Sequence, residues 1–195
     1  MMQEILTKKQ IKRMVTMGIL SALSIVLVFF IHPSVFPPPM NFLQYDPADI
    51  PILICTFIYG PIPGLIMTIV VSVIQGITVS VQSGWIGIIM HILSTGTFVL
   101  VAGYIYKLRQ NMTFAAIGLA TGVISSAIIM IGCNLIFVPL FMTISLPNGA
   151  QMKVTIEQVV ENLIPYFIPF NLLKSGINAA IAFILYKPII YSFMP

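Results

Sequence analysis

Between Arg13 and Lys107 the chain carries no charged side chain except Asp46 and Asp49, and the residues between fall into long, continuously apolar runs. About 20 such residues cross the ~30 Å hydrocarbon core of a bilayer as a helix. In lipid only helices and closed barrels satisfy every backbone N–H and C=O. Barrel strands would alternate apolar and polar residues over segments of about 10, and these runs do not alternate. The chain is therefore expected to be an all-α integral membrane protein. With 58% hydrophobic and 7% charged residues, it could not cover a water-facing surface, since soluble domains carry roughly a quarter charged residues.

Six transmembrane helices are read along the chain: Met14 to Ile31, Ala48 to Tyr59, Leu65 to Val81, Trp85 to Tyr106, Phe114 to Met142 and Val159 to Tyr186. The second is short and opens on Asp49 and Pro51, so it starts inside a cavity or borrows length from the preceding loop. Gly60-Pro61-Ile62-Pro63-Gly64 and Gln82-Ser83-Gly84 read as breaks. The fifth run is long enough to tilt or to break near Pro139, and Pro165 and Pro169 interrupt the sixth. Two long polar loops remain, His32 to Pro47 and Thr143 to Gln158. The first run has a basic flank but no small-residue cleavage site after it, so it is read as a retained span. Residues 1–195 read as one transmembrane domain without repeats.

Orientation follows from the basic residues. With a cytoplasmic N-terminus, Lys8, Lys9, Lys12, Arg13, Lys107, Arg109 and Lys187 lie inside, and only Lys153 lies outside. An even number of spans makes the C-terminus cytoplasmic too. Both long loops, and the acids Asp46, Asp49, Glu157 and Glu161, then share the outer face, which suggests a lidded cavity opening outward.

Lys174 is the anomaly, because an ionised lysine within a span costs a few kcal/mol even on lenient insertion scales. Lys187 marks the inner end of that span roughly 20 Å away at helical rise, too far for Lys174 to snorkel there. A polar cavity with a ligand is the favoured reason for it, against a purely structural partner. Asn171 shares its helix face, and Pro169 loosens the backbone just before them. An amide beside an ammonium suits holding a neutral, heteroatom-rich ligand better than catalysis. Asn134 reads equally as a ligand contact or an interhelical hydrogen bond. For Gln75 and His91 a hydrogen bond to a neighbouring helix is favoured, and for Asp49 an N-cap of the second helix. Cys55 and Cys133 read as small buried hydrophobes. Gly18 and Ala22 form a small-xxx-small face on the first helix, fit for close helix contact. No catalytic constellation, metal-ligand spacing or phosphate loop is present in the sequence, and nothing in it points to nucleic acid.

Taken together, four segments carry a resemblance: Phe42-Leu43-Gln44-Tyr45-Asp46-Pro47-Ala48-Asp49-Ile50-Pro51, Tyr59-Gly60-Pro61 with Gly64, Asn134-Leu135-Ile136-Phe137-Val138-Pro139, and Pro169-Phe170-Asn171-Leu172-Leu173-Lys174. Their order and spacing resemble the riboflavin-specific S component, the substrate-binding subunit, of energy-coupling factor (ECF) transporters, over nearly the whole chain. The resemblance implies a multi-pass protein of the bacterial cell membrane that binds riboflavin from outside as a transported ligand, with no cofactor of its own. It implies docking on a transmembrane coupling subunit (the T component) that carries two ATP-binding subunits, which would do the ATP hydrolysis. It maps flavin binding onto Asn134, Asn171 and Lys174, places Tyr45 and Leu43 in the cover, and assigns partner docking to Gly18 and Ala22. The rival expectations are the same architecture for another vitamin or precursor such as pantothenate or a pyrimidine, a stand-alone small-molecule carrier or channel, and a small intramembrane enzyme using His91 and a serine.

Overall fold

The computed structural model describes residues 2–38, 40, 42–145 and 151–193. The helices are α1 (Met2–Phe30), α2 (Asp49–Tyr59), α3 (Pro61–Thr78), α4 (Gly84–Leu108), α5 (Met112–Phe141), α6 (Ile156–Asn162) and α7 (Ile168–Phe193). A π turn, Leu163–Phe167, joins α6 to α7 without interrupting the rod. Thr143–Ser145 (β1) and Gln151–Lys153 (β2) pair antiparallel in the second loop.

Local chemistry accounts for the element ends. Gly60 sits at φ 100°, where a side chain would be strained, and Pro61 starts α3 at once, as a residue without an N–H can. The expected five-residue break is thus a single residue. Asn111 caps α5 by accepting from the Phe114 N–H at 2.9 Å, and Thr155 with Gln158 forms a reciprocal capping box for α6. Pro139 does not break α5, which continues to Phe141. Pro165 and Pro169 do not end the last span either: the backbone accommodates them with the π turn.

Among the described residues five helical segments are long and apolar enough to cross a membrane: Thr7–Phe30, Pro61–Thr78, Gly84–Leu108, Met112–Leu140 and Ile156–Tyr186. The sixth expected span, α2, has only 11 residues, about 16 Å at helical rise. Its residues from Asp49 to Phe57 are all buried, so it is a core helix enclosed by the longer ones. α1 is the most peripheral: 11% of its apolar window is buried, against 50% for α3. Ile11, Met14, Val15, Ile19, Leu23 and Val26 are exposed along it, an arrangement stable only where the solvent is itself apolar.

Two apolar clusters hold the helices together. The larger gathers Ile52, Leu53 and Phe57 of α2, Met67 and Val71 of α3, Phe98 and Val99 of α4 and Ala182 of α7. Near its end Phe57, Tyr106 and Tyr186 meet, the two phenols 2.9 Å apart. α4 and α5 approach so closely that a Cβ on Gly118 would lie 2.8 Å from the Ala102 carbonyl oxygen. The smaller cluster joins Leu43 of the first loop to Val138, Val159, Phe167 and Phe170. Cys55 and Cys133 are buried thiols within the helices, as their apolar neighbours imply.

Candidate functional site

The described residues of the first loop, 31–38, 40 and 42–48, fold back as a narrow hairpin. Val35 N–H donates to Leu43 O at 3.1 Å and Tyr45 N–H to Pro33 O at 3.0 Å. Aromatic side chains pin it to the π turn, with Phe36 edge-on to Tyr166 at 5.2 Å and Phe42 tilted against Phe167 at 6.1 Å. This places the end of the hairpin, Tyr45-Asp46, over the middle of the helix bundle.

Asp46 is the hub. Its Oδ1 accepts from the Ala48 N–H at 2.9 Å, closing a local turn. Its Oδ2 accepts from Gln75 Nε2 of α3 at 2.8 Å, and lies 3.1 Å from His91 Nε2 of α4 and 3.6 Å from Lys174 Nζ of α7. One loop carboxylate thereby ties three helices. Burial alone would raise the pKa of this carboxyl, but the Lys174 ammonium, His91 and Gln75 outweigh it and hold Asp46 well below the usual carboxylate range.

Asp49 completes the network one turn later. It accepts from Thr95 Oγ1 at 2.7 Å and from Asn178 Nδ2 at 3.0 Å, and lies 3.6 Å from His91 Nε2. The N-cap role expected for it is therefore wrong. The capping position is Ala48, without any side-chain cap, and the Asp49 side chain is spent across the bundle instead. Asn178 also donates to Asp46 O at 2.7 Å and accepts from the Tyr45 phenol at 2.7 Å. Burial, then the negative charges of Asp49 and Asp46, push the Tyr45 phenol up from its ordinary pKa.

Beside this network lies a cavity of about 180 Å³, far more than the roughly 10–15 Å³ that houses one water. Leu43, Tyr45, Asn134, Asn171 and Lys174, all singled out from the sequence, line it together. Lys174 faces the cavity and is charge-compensated by Asp46, so the cavity and the structural partner, weighed as alternatives, are both present. Asn171 lends its Nδ2 to Phe167 O at 2.7 Å, one turn back on its own helix. Among the described residues Asn134 Nδ2 is buried without a hydrogen-bond partner, so that atom makes no interhelical bond there.

Sequence reading gave no site role to two participants, Asp46 and Asn178, and misplaced the partner of a third, Gln75. Asp46 could have been found by asking which acid balances Lys174. Asn178 follows Asn171 and Lys174 at the spacing of one helical stripe. Gln75 lines the cavity too, and its partner is the loop carboxylate rather than a neighbouring helix. His91 does bond to a neighbouring helix as expected, with Nδ1 2.7 Å from Ser72 Oγ of α3. Gly18 and Ala22 lie apart from all of this on the exposed face of α1, where a Cβ on Gly18 would meet nothing within 4 Å.

Comparison with known proteins supplies the family. Residues 12–190 match the model of the family described as "ECF transporter, substrate-specific component". The chain is 31% identical over 181 residues to the riboflavin transporter RibU of Staphylococcus aureus (strain TCH60), covering 92% of this chain and 90% of that one. It is 25% identical over 177 residues to the riboflavin transporter FmnP of Bacillus subtilis (strain 168), with 90% of each covered. A solved S component of a bacterial ECF transporter superposes with a TM-score of 0.74 at 27% identity, covering 95% of this chain and 99% of that one. Five membrane-length helices around a sheltered sixth, with a polar cavity roofed by a hairpin loop, thus have a family to go with them: the chain belongs to the substrate-specific components of ECF transporters and is a multi-pass protein of the bacterial plasma membrane.

Proposed function

We propose that this chain captures riboflavin at the outer face of the membrane and passes it inward in concert with a T component and two ATP-binding subunits. The observation that carries the reading is the convergence of Leu43, Tyr45, Asn134, Asn171 and Lys174, from a loop and two helices far apart in sequence, on one cavity. An isoalloxazine ring needs apolar cover for its flat faces and a few fixed polar groups for its carbonyls and ring nitrogens. Leu43, Phe42, Val138 and Phe170 line the cavity as such cover, and Asn134, Asn171 and Lys174 supply the polar edge. His32 and Gln44 of the hairpin, and Ser80 and Ser83, also line the cavity and suit the hydroxyls of a ribityl chain. The names of the relatives support riboflavin as the ligand.

In this reading the hairpin faces outward and both termini are cytoplasmic, as the distribution of lysine and arginine favours. The bare stripe of α1 around Gly18 and Ala22 docks on the T component, where small residues permit close helix contact. ATP is hydrolysed by the partners.

Riboflavin fluorescence tests the ligand directly. Titrating riboflavin with the purified protein should quench its emission to saturation at a one-to-one ratio. No quenching, or copurification of a pantothenate- or pyrimidine-like molecule in place of a flavin, would transfer the site to another ligand.

A further inference from the structure

We propose that Gln75 is a specificity-determining residue of the cavity, presenting its amide oxygen as an acceptor that only a ligand with an N–H or O–H donor at that position can satisfy. The inference rests on the flavin reading above and deepens it.

The orientation of the Gln75 carboxamide is forced. Its Nε2 lies 2.8 Å from Asp46 Oδ2, and an ionised carboxylate only accepts. Turning the amide over would set its oxygen against that carboxylate oxygen. Asp46 cannot move away to permit this, because the Ala48 N–H, His91 and Lys174 hold it as well. The amide oxygen is therefore fixed on the side away from Asp46. Gln75 is only 8% exposed, lines the cavity, and its Oε1 has no hydrogen-bond partner among the described residues. A buried acceptor left so costs free energy, and native structures leave few without a reason.

Asn134 is the counterpart on α5. It is 2% exposed, lines the same cavity, and its Nδ2 is a donor without an acceptor. Among the described residues these are the two buried side-chain atoms without a partner. A guest that satisfies both brings a donor to Gln75 and a polar group to Asn134, whose amide can turn to meet a donor or an acceptor. A flavin has two possible donors for Gln75, the imide N3–H of the ring and the ribityl hydroxyls.

The test is a set of coupled titrations by flavin fluorescence on the full-length protein in nanodiscs. Wild type and Gln75→Met are each titrated with riboflavin, N3-methylriboflavin and lumiflavin, which lacks the ribityl chain. Gln75→Met keeps the length of the side chain and removes the acceptor, and should weaken riboflavin about tenfold. If the imide is the donor, N3-methylation weakens binding to wild type by a similar factor and weakens Gln75→Met no further. If a hydroxyl is the donor, lumiflavin shows that loss of discrimination instead. Gln75→Asn, which withdraws the acceptor by one methylene, should repeat the pattern and serves where Gln75→Met does not fold. Equal losses for all three flavins in the variants would overturn the proposal, because Gln75 would then only position Asp46. Wild-type protein that binds none of the flavins would overturn the flavin reading and this inference together.

Discussion

Lys174 Nζ, within the last span, lies 3.6 Å from Oδ2 of Asp46 at the end of the first loop, so the membrane-embedded cation is balanced by a carboxylate that the loop delivers. The same carboxylate oxygen also accepts from Gln75 and lies 3.1 Å from His91 Nε2, and the pair lines the cavity. Removing one partner of such a pair strands the other in a poorly solvated site.

Lys174→Met is accordingly expected to destabilise the protein by about 3 kcal/mol, at the low end for a buried pair because the lysine side chain keeps 19% exposure. The same change should weaken riboflavin binding tenfold or more. Adding Asp46→Asn should recover most of the stability and none of the affinity. Thermal unfolding in detergent read beside fluorescence titration separates the two effects. Recovery of affinity in the double variant would show that Lys174 serves Asp46 alone.

Acid should act through Asp46. Its folded pKa lies below the ordinary 3.8, so the unfolded chain binds the proton more readily. The stability it contributes is complete above the ordinary value and is lost as the pH falls below it. Melting temperatures measured from pH 7 down to about pH 3 should decline in the acid part of that range, and Asp46→Asn should remove that share of the decline.

Asn134→Leu should separate stability from binding in the opposite sense to Lys174→Met. The Nδ2 it removes has no partner among the described residues, so the ligand-free protein should be unchanged or up to ~1 kcal/mol more stable. Riboflavin affinity should fall about tenfold. A large loss of stability would mean that the amide is structural.

Two glycines make a contrasting pair. Gly18→Leu on the exposed face of α1 meets open space, so binding and melting temperature should hold while uptake by cells expressing the whole transporter falls. Gly118→Ala would press a methyl against the Ala102 backbone, and should cost about 1–3 kcal/mol in the purified subunit. Unimpaired uptake with Gly18→Leu would remove α1 from the docking surface.

Much of this was legible because lipid simplifies the reading. A long apolar run has few structural options, and Lys174 inside one demands an explanation that Lys8 or Lys107 does not. The same reasoning placed Asn171 beside a polar space, while Asn134 reads equally as a link between helices and joins the site only through the family resemblance. It failed where partners come from distant parts of the chain. Asp49 looks like a helix cap because caps are local, yet its bonds run to Thr95 and Asn178. Gln75 looks like a link between helices because the loop that reaches it has no periodicity to betray its path. α2 reads like the other spans by composition, since a helix buried in protein and one buried in lipid are equally apolar. Only its 11 residues set it apart.

That shortness has a mechanical consequence. A helix too short for the bilayer ordinarily forces the lipid to thin around it or forces itself to oligomerise. Because protein sheathes α2 from Asp49 to Phe57, it escapes hydrophobic mismatch altogether. A thicker or thinner bilayer changes the tilt of the outer rods, while the segment that carries Asp49 feels only its protein neighbours. The acidic anchor beneath the hairpin is thereby insulated from the composition of the membrane in which the protein floats.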